Sequence, residues 1–409
     1  MIEPMLSVEA AQARVLSAFR TLEAEKVPLL QSVGRVLAED ACASGDIPPL
    51  ANSSMDGYAV QAAETRGATP ETPVSLTVVG DLPAGYVSDQ VVTSGTAVRI
   101  MTGAPLPPGA DAVVKVEDTD SEGVLVRVLA EVGPGNYVRA AGEDVRAGSA
   151  VIPRGARLRP QEAGMLAALG YQEVSVTRKP RVAILATGDE LVGPGEALAP
   201  GKIRDANSTS NAAQVAEHGG VPILLGIARD RTDELTAKIQ TGLEEDVDLF
   251  LTSGGVSVGD FDLVKDVLAS KGQMEFWRVR MKPGKPLAFG HMAGVPVLGL
   301  PGNPVSVMVS FEMFARPAIL KMQGLTDWQR PVVTATLMDA IEKKDGRRHF
   351  VRVRLVWEDD EYRSYLTGAQ GSGILSSMLM ANALAIIPED WDHAPAGARV
   401  EAVMLGCHA

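Results

Sequence analysis

Cysteine is nearly absent: only Cys42 and Cys407 occur in 409 residues. Two cysteines at unrelated positions make no disulfide framework, and a reducing cytoplasm is the expected setting. Five scattered histidines offer no zinc-ligand spacing. Basic residues are in deficit, with 38 Lys and Arg against 51 Asp and Glu and a net charge of −13. That balance excludes a general nucleic-acid binder, which needs a basic surface to displace counterions. A local lysine pair can still hold a small anion. No apolar run approaches membrane-spanning length, and the start Met1-Ile2-Glu3-Pro4 has neither basic residues nor an apolar stretch, so no membrane partner is expected. No Gly-x-x-x-x-Gly-Lys-Ser/Thr occurs, which removes an ordinary NTPase, and no Gly-x-Gly-x-x-Gly opens a βαβ unit.

What is present divides the chain. This length predicts two to four domains, and 41 glycines suit a fold rich in strands and turns. Residues 8–24 read as an amphipathic helix, with Ala11, Val15, Ala18, Phe19 and Leu22 at helical spacing. From 46 to 144, β-branched runs such as 74–79 and 97–101, broken by Gly and Pro, predict a β-rich insertion. Short apolar runs at 182–186, 221–227, 248–251 and 295–300 predict strands buried on both faces. Helical stretches at 207–218, 232–245 and 262–270 alternate with them, the pattern of a doubly wound, mainly parallel sheet. Asn303 and Pro304 predict an N-cap and first-turn proline for a helix through 320. Beyond 329, runs at 332–337, 350–357, 362–366, 383–387 and 400–404 predict a small barrel or sandwich.

Three glycine-rich turns stand at the ends of strand-like runs: Ser253-Gly254-Gly255-Val256-Ser257-Val258-Gly259, Lys282-Pro283-Gly284-Lys285-Pro286 and Leu300-Pro301-Gly302-Asn303-Pro304. Glycines let backbone N–H groups converge on an anion, and lysines neutralise it. Pro283-Gly284 braces Lys282 and Lys285 three positions apart, which a solvated surface pair would not need. Ligands of an open parallel sheet sit outside the carboxyl ends of its strands. Asp189, Glu190, Asp230, Asp260 and Asp262 follow strand-like runs there. Each acid alone fits a helix cap as well as a ligand; several together favour a divalent cation and a phosphorylated substrate. Asn52-Ser53-Ser54-Met55-Asp56-Gly57 and Met101-Thr102-Gly103-Ala104-Pro105 read, on spacing alone, as ordinary turns.

In succession, 52–60, 101–105, Gly142-Glu143-Asp144, Thr187-Gly188-Asp189-Glu190-Leu191, 253–262, 282–286, 300–306 and Gly368-Ala369-Gln370-Gly371-Ser372 closely resemble the molybdopterin molybdenumtransferase (MoeA) family, related to the gephyrin E domain. The resemblance runs almost end to end. Two small departures are Ser54, where many relatives carry alanine, and Arg278, where lysine is common.

The resemblance implies a multidomain α/β and β fold. A central MogA/MoaB-like doubly wound α/β domain would cover 178–327. A β-rich lid would cover 46–144, an elongated N-terminal domain 1–45 plus 145–177, and a small C-terminal β-barrel 328–409. It implies insertion of molybdenum from molybdate into the dithiolene of adenylylated molybdopterin, with Mg2+ and release of AMP. It further implies a homodimer whose active site is shared between subunits, with a pterin adenylyltransferase before it and acceptor molybdoenzymes after it. Glu190, Asp230 and Asp262 would engage magnesium and the substrate phosphates, and Lys282 and Lys285 the pyrophosphate or molybdate. Ser253, Gly254, Gly255 and Ser257 would pack against the phosphate and pterin end. Asp56 and Thr102 would reach in from the partner's lid, with Arg139 and Asp144 lining the same cleft. Pro301 and Pro304 would shape the floor and Ser372 touch the edge. The shared α/β domain also fits the preceding adenylylation step; the lid, the C-terminal domain and Asp260-Phe261-Asp262 weigh against it. A non-catalytic scaffold fits the intact acids and lysines least.

Overall fold

The computed structural model describes residues 5–254 and 272–406. At its centre lies a six-stranded sheet built from β1 (Arg181–Thr187), β2 (Val221–Ala228), β3 (Leu249–Ser253), β4 (Gly272–Arg278), β5 (Pro286–Met292) and β6 (Val295–Leu300). Their order across the sheet is β2-β1-β3-β6-β5-β4. The first four are mutually parallel, and β5 and β4 return antiparallel at one edge. Residues of β1 alternate between two cores: Val182 and Ile184 enter one, Ala183 and Leu185 the other. Burial on both faces is what an uninterrupted apolar run encodes.

Helices Asn207–Glu217 and Thr232–Glu244 make the crossovers flanking β2. Pro304 opens a helix as expected, but the segment is Pro304–Ser310, a π-helical turn Phe311–Ala315, then Arg316–Met322. Asn303 takes the N-cap position without a side-chain cap bond. The N-terminal helix spans only Val8–Ser17. Its Val8, Ala11 and Val15, with Phe19 beyond its end, pack into the core beneath the central sheet. Beyond it the chain turns, and Ala24–Pro28 pairs antiparallel with Glu173–Thr177. The predicted helix at 262–270 lies outside the described residues.

The chain leaves for a second β-rich region and returns through paired segments, Ala41–Cys42 with Ala150–Ile152 and an Ile47–Val145 bridge. Between them a second six-stranded sheet forms, including Gly57–Val60, Thr96–Ile100 and Ala112–Lys115. Separate apolar clusters line its two faces, one around Tyr58 and Val126, the other around Ile100 and Val113. The last region is a closed five-stranded barrel: Arg348–Glu358, Glu361–Leu366, Val332–Leu337, Arg399–Met404 and Ala383–Ile387, the last pairing back to the first. Met281–Lys282, which follows β4, adds to this barrel sheet by pairing in parallel with Arg348–His349. Among the described residues, no helix is long and apolar enough to cross a membrane.

Candidate active site

The carboxyl edge of the central sheet gathers the turns. Since β4 runs parallel to β6, the loop from Arg278 to Pro286 emerges at the same edge as the turns after β1, β2, β3 and β6. Read across the sheet, the edge presents Asp230, then Asp189 and Glu190, then Ser253-Gly254, then Pro301 to Pro304, then Lys282 and Lys285. Three strand spacings separate β1 from β5, so the acid pole and the lysine pole stand about 14 Å apart.

The acid turn is clamped. The Asp189 carbonyl accepts from Arg229 (2.9 Å) and from Lys202 Nζ, and Arg229 also donates to the Leu191 carbonyl at 3.0 Å. The Asp230 N–H donates to Asp189 Oδ1 at 3.2 Å, which brings the two acid turns together. Burial, with the negative charge of Asp189 and Glu190 added, pushes the Asp230 carboxyl above its ordinary range; a hydrogen bond from the Asp189 backbone offsets only part. Among the described residues, no three acids, histidines or cysteines form a metal cluster; Asp262 lies outside them.

The middle of the edge is built on close backbone approach. Gly254 has φ 89°, and a Cβ there would lie 2.8 Å from the Thr187 carbonyl oxygen, so only glycine fits. Its N–H donates to the Leu300 carbonyl at 3.3 Å. The Ser253 hydroxyl is buried and has no hydrogen-bond partner among the described residues. Gly255 and Ser257 lie outside the described residues. Pro301 is buried, Pro304 half-buried, and the Val305 N–H donates to the Ser372 carbonyl at 3.1 Å. That bond joins the barrel's Gly371-Ser372 loop to the third turn.

Lys282 and Lys285 are exposed. Lys282 Nζ lies 3.8 Å from Asp345 Oδ2. Burial pushes the Asp345 carboxyl up, but hydrogen bonds from His349 and Arg347 outweigh it and hold it at about 2. Sequence reasoning missed Arg352, which is 2% exposed. It donates to Ser377 Oγ at 3.0 Å and to the Gly371 carbonyl at 3.1 Å. No carboxylate among the described residues pairs with it, and burial pushes it down to about 10. A cavity of about 220 Å³ joins Arg352 to Lys282, Pro283, His349 and Gln370. Its lining carries Lys282 and Arg352 as cations and Glu342 as an acid, and a buried guanidinium without a carboxylate partner favours an anion nearby.

The residues expected from 46–144 form a separate group. Asp56 Oδ1 accepts from the Thr102 N–H and the Thr102 hydroxyl, both at 2.7 Å, and these bonds hold its carboxyl below its ordinary range. Arg139 pairs with Asn52 in the short strand of that region, and the Asp144 N–H donates to the Ile47 carbonyl. All four side chains are exposed. Among the described residues, no hydrogen bond or ion pair joins them to the acids or lysines of the central edge.

Comparison with known proteins covers the chain in three pieces: the MoeA N-terminal region (domain I and II) over residues 6–170, the probable molybdopterin binding domain over 183–321, and the MoeA C-terminal region (domain IV) over 334–405. Molybdopterin molybdenumtransferase 2 of Mycobacterium tuberculosis is 40% identical over 403 residues, 97% of this chain and 99% of the relative. The molybdopterin molybdenumtransferase of Bacillus subtilis is 34% identical over 406 residues, 98% and 94% of the two chains. The structure of a molybdopterin biosynthesis MoeA protein from Pyrococcus horikoshii superposes with a TM-score of 0.82 at 35% identity, covering 98% of this chain and 100% of that one.

Proposed function

The chain belongs to the MoeA family of molybdopterin molybdenumtransferases, and on that premise we propose that it transfers molybdenum from molybdate to the dithiolene of adenylylated molybdopterin, releasing AMP. The observation that carries this reading is the two-ended carboxyl edge, acids over β1 and β2 and lysines before β5. An elongated substrate with phosphates in its middle and an oxyanion to be delivered fits such a bipolar cleft.

Lys282 and Lys285 hold the pyrophosphate or molybdate, with Arg352 adding charge from beneath. Ser253 and Gly254 pack against the phosphate and pterin end, with the Gly254 N–H held by the Leu300 carbonyl; Gly255 and Ser257 are assigned the same part. Pro301 and Pro304 shape the floor, and Ser372 the edge. Opening a phosphoanhydride needs positioned charge more than a covalent nucleophile. The oxygen-only set of Glu190, Asp230 and Asp262 suits magnesium, and the crowding that raises the Asp230 carboxyl is what a divalent cation relieves. When bound, magnesium supplies Lewis-acid polarisation of a phosphate oxygen.

We assign Asp56, Thr102, Arg139 and Asp144 to the cleft of a partner subunit in a homodimer. That no hydrogen bond or ion pair among the described residues joins them to the central edge supports this. The same reading divides the chain near 46, 145, 178 and 328, makes the pterin adenylyltransferase and acceptor molybdoenzymes its partners, and sets the reaction in the cytoplasm. The test is AMP release from adenylylated molybdopterin with magnesium, with and without molybdate. Molybdate-dependent release, with product that activates a cofactor-free molybdoenzyme, supports the reading. Tight substrate binding without release overturns it.

A further inference from the structure

We propose that Asp345 is a positioning residue for Lys282, tethering its ammonium group over the carboxyl edge; the inference rests on the reading of Lys282 as an anion-binding group. Lysine carries a flexible four-carbon stem, and ordering it costs entropy; among the described residues of the central sheet, no carboxylate pairs with the Lys282 ammonium. The strand Met281–Lys282 has left that sheet and pairs with Arg348–His349 of the barrel, Lys282 opposite His349. Asp345 lies on the turn leading into that barrel strand.

The carboxylate is itself anchored. It accepts from the Arg347 guanidinium at 2.6 Å, from the Arg347 N–H at 3.3 Å and from His349 Nε2 at 3.0 and 3.1 Å. His349 is buried, so the strand pair that sets the backbone of Lys282 also sets its tether. Lys343 shapes the same turn, its Nζ taken up by the Arg347 and Glu389 carbonyls at 2.8 and 3.0 Å. Against these short bonds, the Lys282 contact is long, 3.8 Å, with the lysine side chain 48% exposed. The carboxylate therefore restrains the ammonium without capturing it. The lysine's protons stay available to an incoming anion.

Asp345→Asn removes the attraction and keeps the shape. The expected result is a fall of about tenfold in kcat with KM changed by less than about twofold, since a displaced group costs alignment in the transition state. Asp345→Glu should recover part of the loss. The deciding measurement is single-turnover AMP release in the Lys282→Ala background. A residue acting through Lys282 adds no further loss there, because the two changes share one interaction. If Asp345→Asn does not fold, Asp345→Glu carries the same comparison with a loss of about threefold. Wild-type kcat in Asp345→Asn, or an undiminished extra loss without Lys282, overturns the inference. Near-normal turnover of Lys282→Ala alone instead overturns the role of Lys282, so the two failures are distinguishable.

Discussion

The two groups of site residues are held in opposite ways. On the central edge, β3 is buried along its whole length, Ser253 is 2% exposed, and the acid turn is gripped by Arg229 and Lys202. On the lid, Asp56 and Thr102 are exposed and bond to one another, over a sheet with cores of its own. The described backbone of the central edge is fixed by packing before any ligand arrives, which is how electrostatic stabilisation avoids reorganisation during a reaction. The lid half needs only to present a short polar rim. A mutation on the central edge should therefore act on chemistry, and one on the lid on closure or assembly.

The contrast breaks first at Lys282. Lys282→Ala should lower kcat/KM of AMP release by a factor corresponding to ~3–4 kcal/mol if the lysine acts like an oxyanion-hole donor. Thermal stability should hardly move, since the side chain is exposed. Near-normal turnover would remove Lys282 from the chemistry. Next comes Gly57→Ala: a Cβ there would lie 1.9 Å from the Val114 carbonyl oxygen of the neighbouring strand. Overpacking of this kind costs about 1–3 kcal/mol or more. It should loosen the lid while leaving the central sheet intact, read as faster proteolysis within 46–144. Loss of the whole fold would show that the lid is not an independent unit.

Asp56→Asn should lower activity by about tenfold with little change in stability, because among the described residues its exposed carboxylate accepts hydrogen bonds from Thr102 alone. Co-expressing Asp56→Asn with Lys282→Ala sharpens the comparison. If each cleft takes its lid from the partner, a mixed dimer carries one intact site, and random mixing restores about a quarter of wild-type activity. No recovery in verified heterodimers would place both residues in a cleft of one chain.

Much of this arrangement could be read from residues. Parallel strands β1, β3 and β6 are buried on both faces, so they show as apolar runs, and their following turns point to the site. Strands β4 and β5 did not show: β4 alternates exposed and half-buried residues, Gln273 to Phe276, and β5 opens at Pro286 and carries Gly290. Arg352 was hidden for a different reason. Phe350, Arg352 and Arg354 share one face of a barrel strand at period two, yet Arg354 is exposed while Arg352 lies under the Gly371–Ser377 segment. Sequence periodicity assigns a face; which part of that face another domain covers is a tertiary fact. The Asp345–Lys282 contact spans 63 positions between two domains, and no local spacing announces it.

The smallest predicted effect tests the acid pole without the reaction. Asp230 carries a carboxyl raised by burial and by Asp189 and Glu190. A carboxyl raised in the folded state favours folding fully below its unfolded value near ~3.9, and that contribution is lost as pH rises through the folded value. Above this window the ionised wild-type side chain repels its neighbours. Asp230→Asn removes the repulsion, so the variant should be slightly more stable than wild type at neutral pH. The gain should stay below about 1 kcal/mol because the group is screened by solvent, and it should vanish as pH falls below about 4. Millimolar magnesium should narrow the difference by stabilising the wild type alone, since a cation bound to the folded state raises its stability. Melting temperatures against pH, with and without magnesium, read both effects. A variant that is less stable at neutral pH, or that responds to magnesium as wild type does, would show that Asp230 stands outside any crowded acid group.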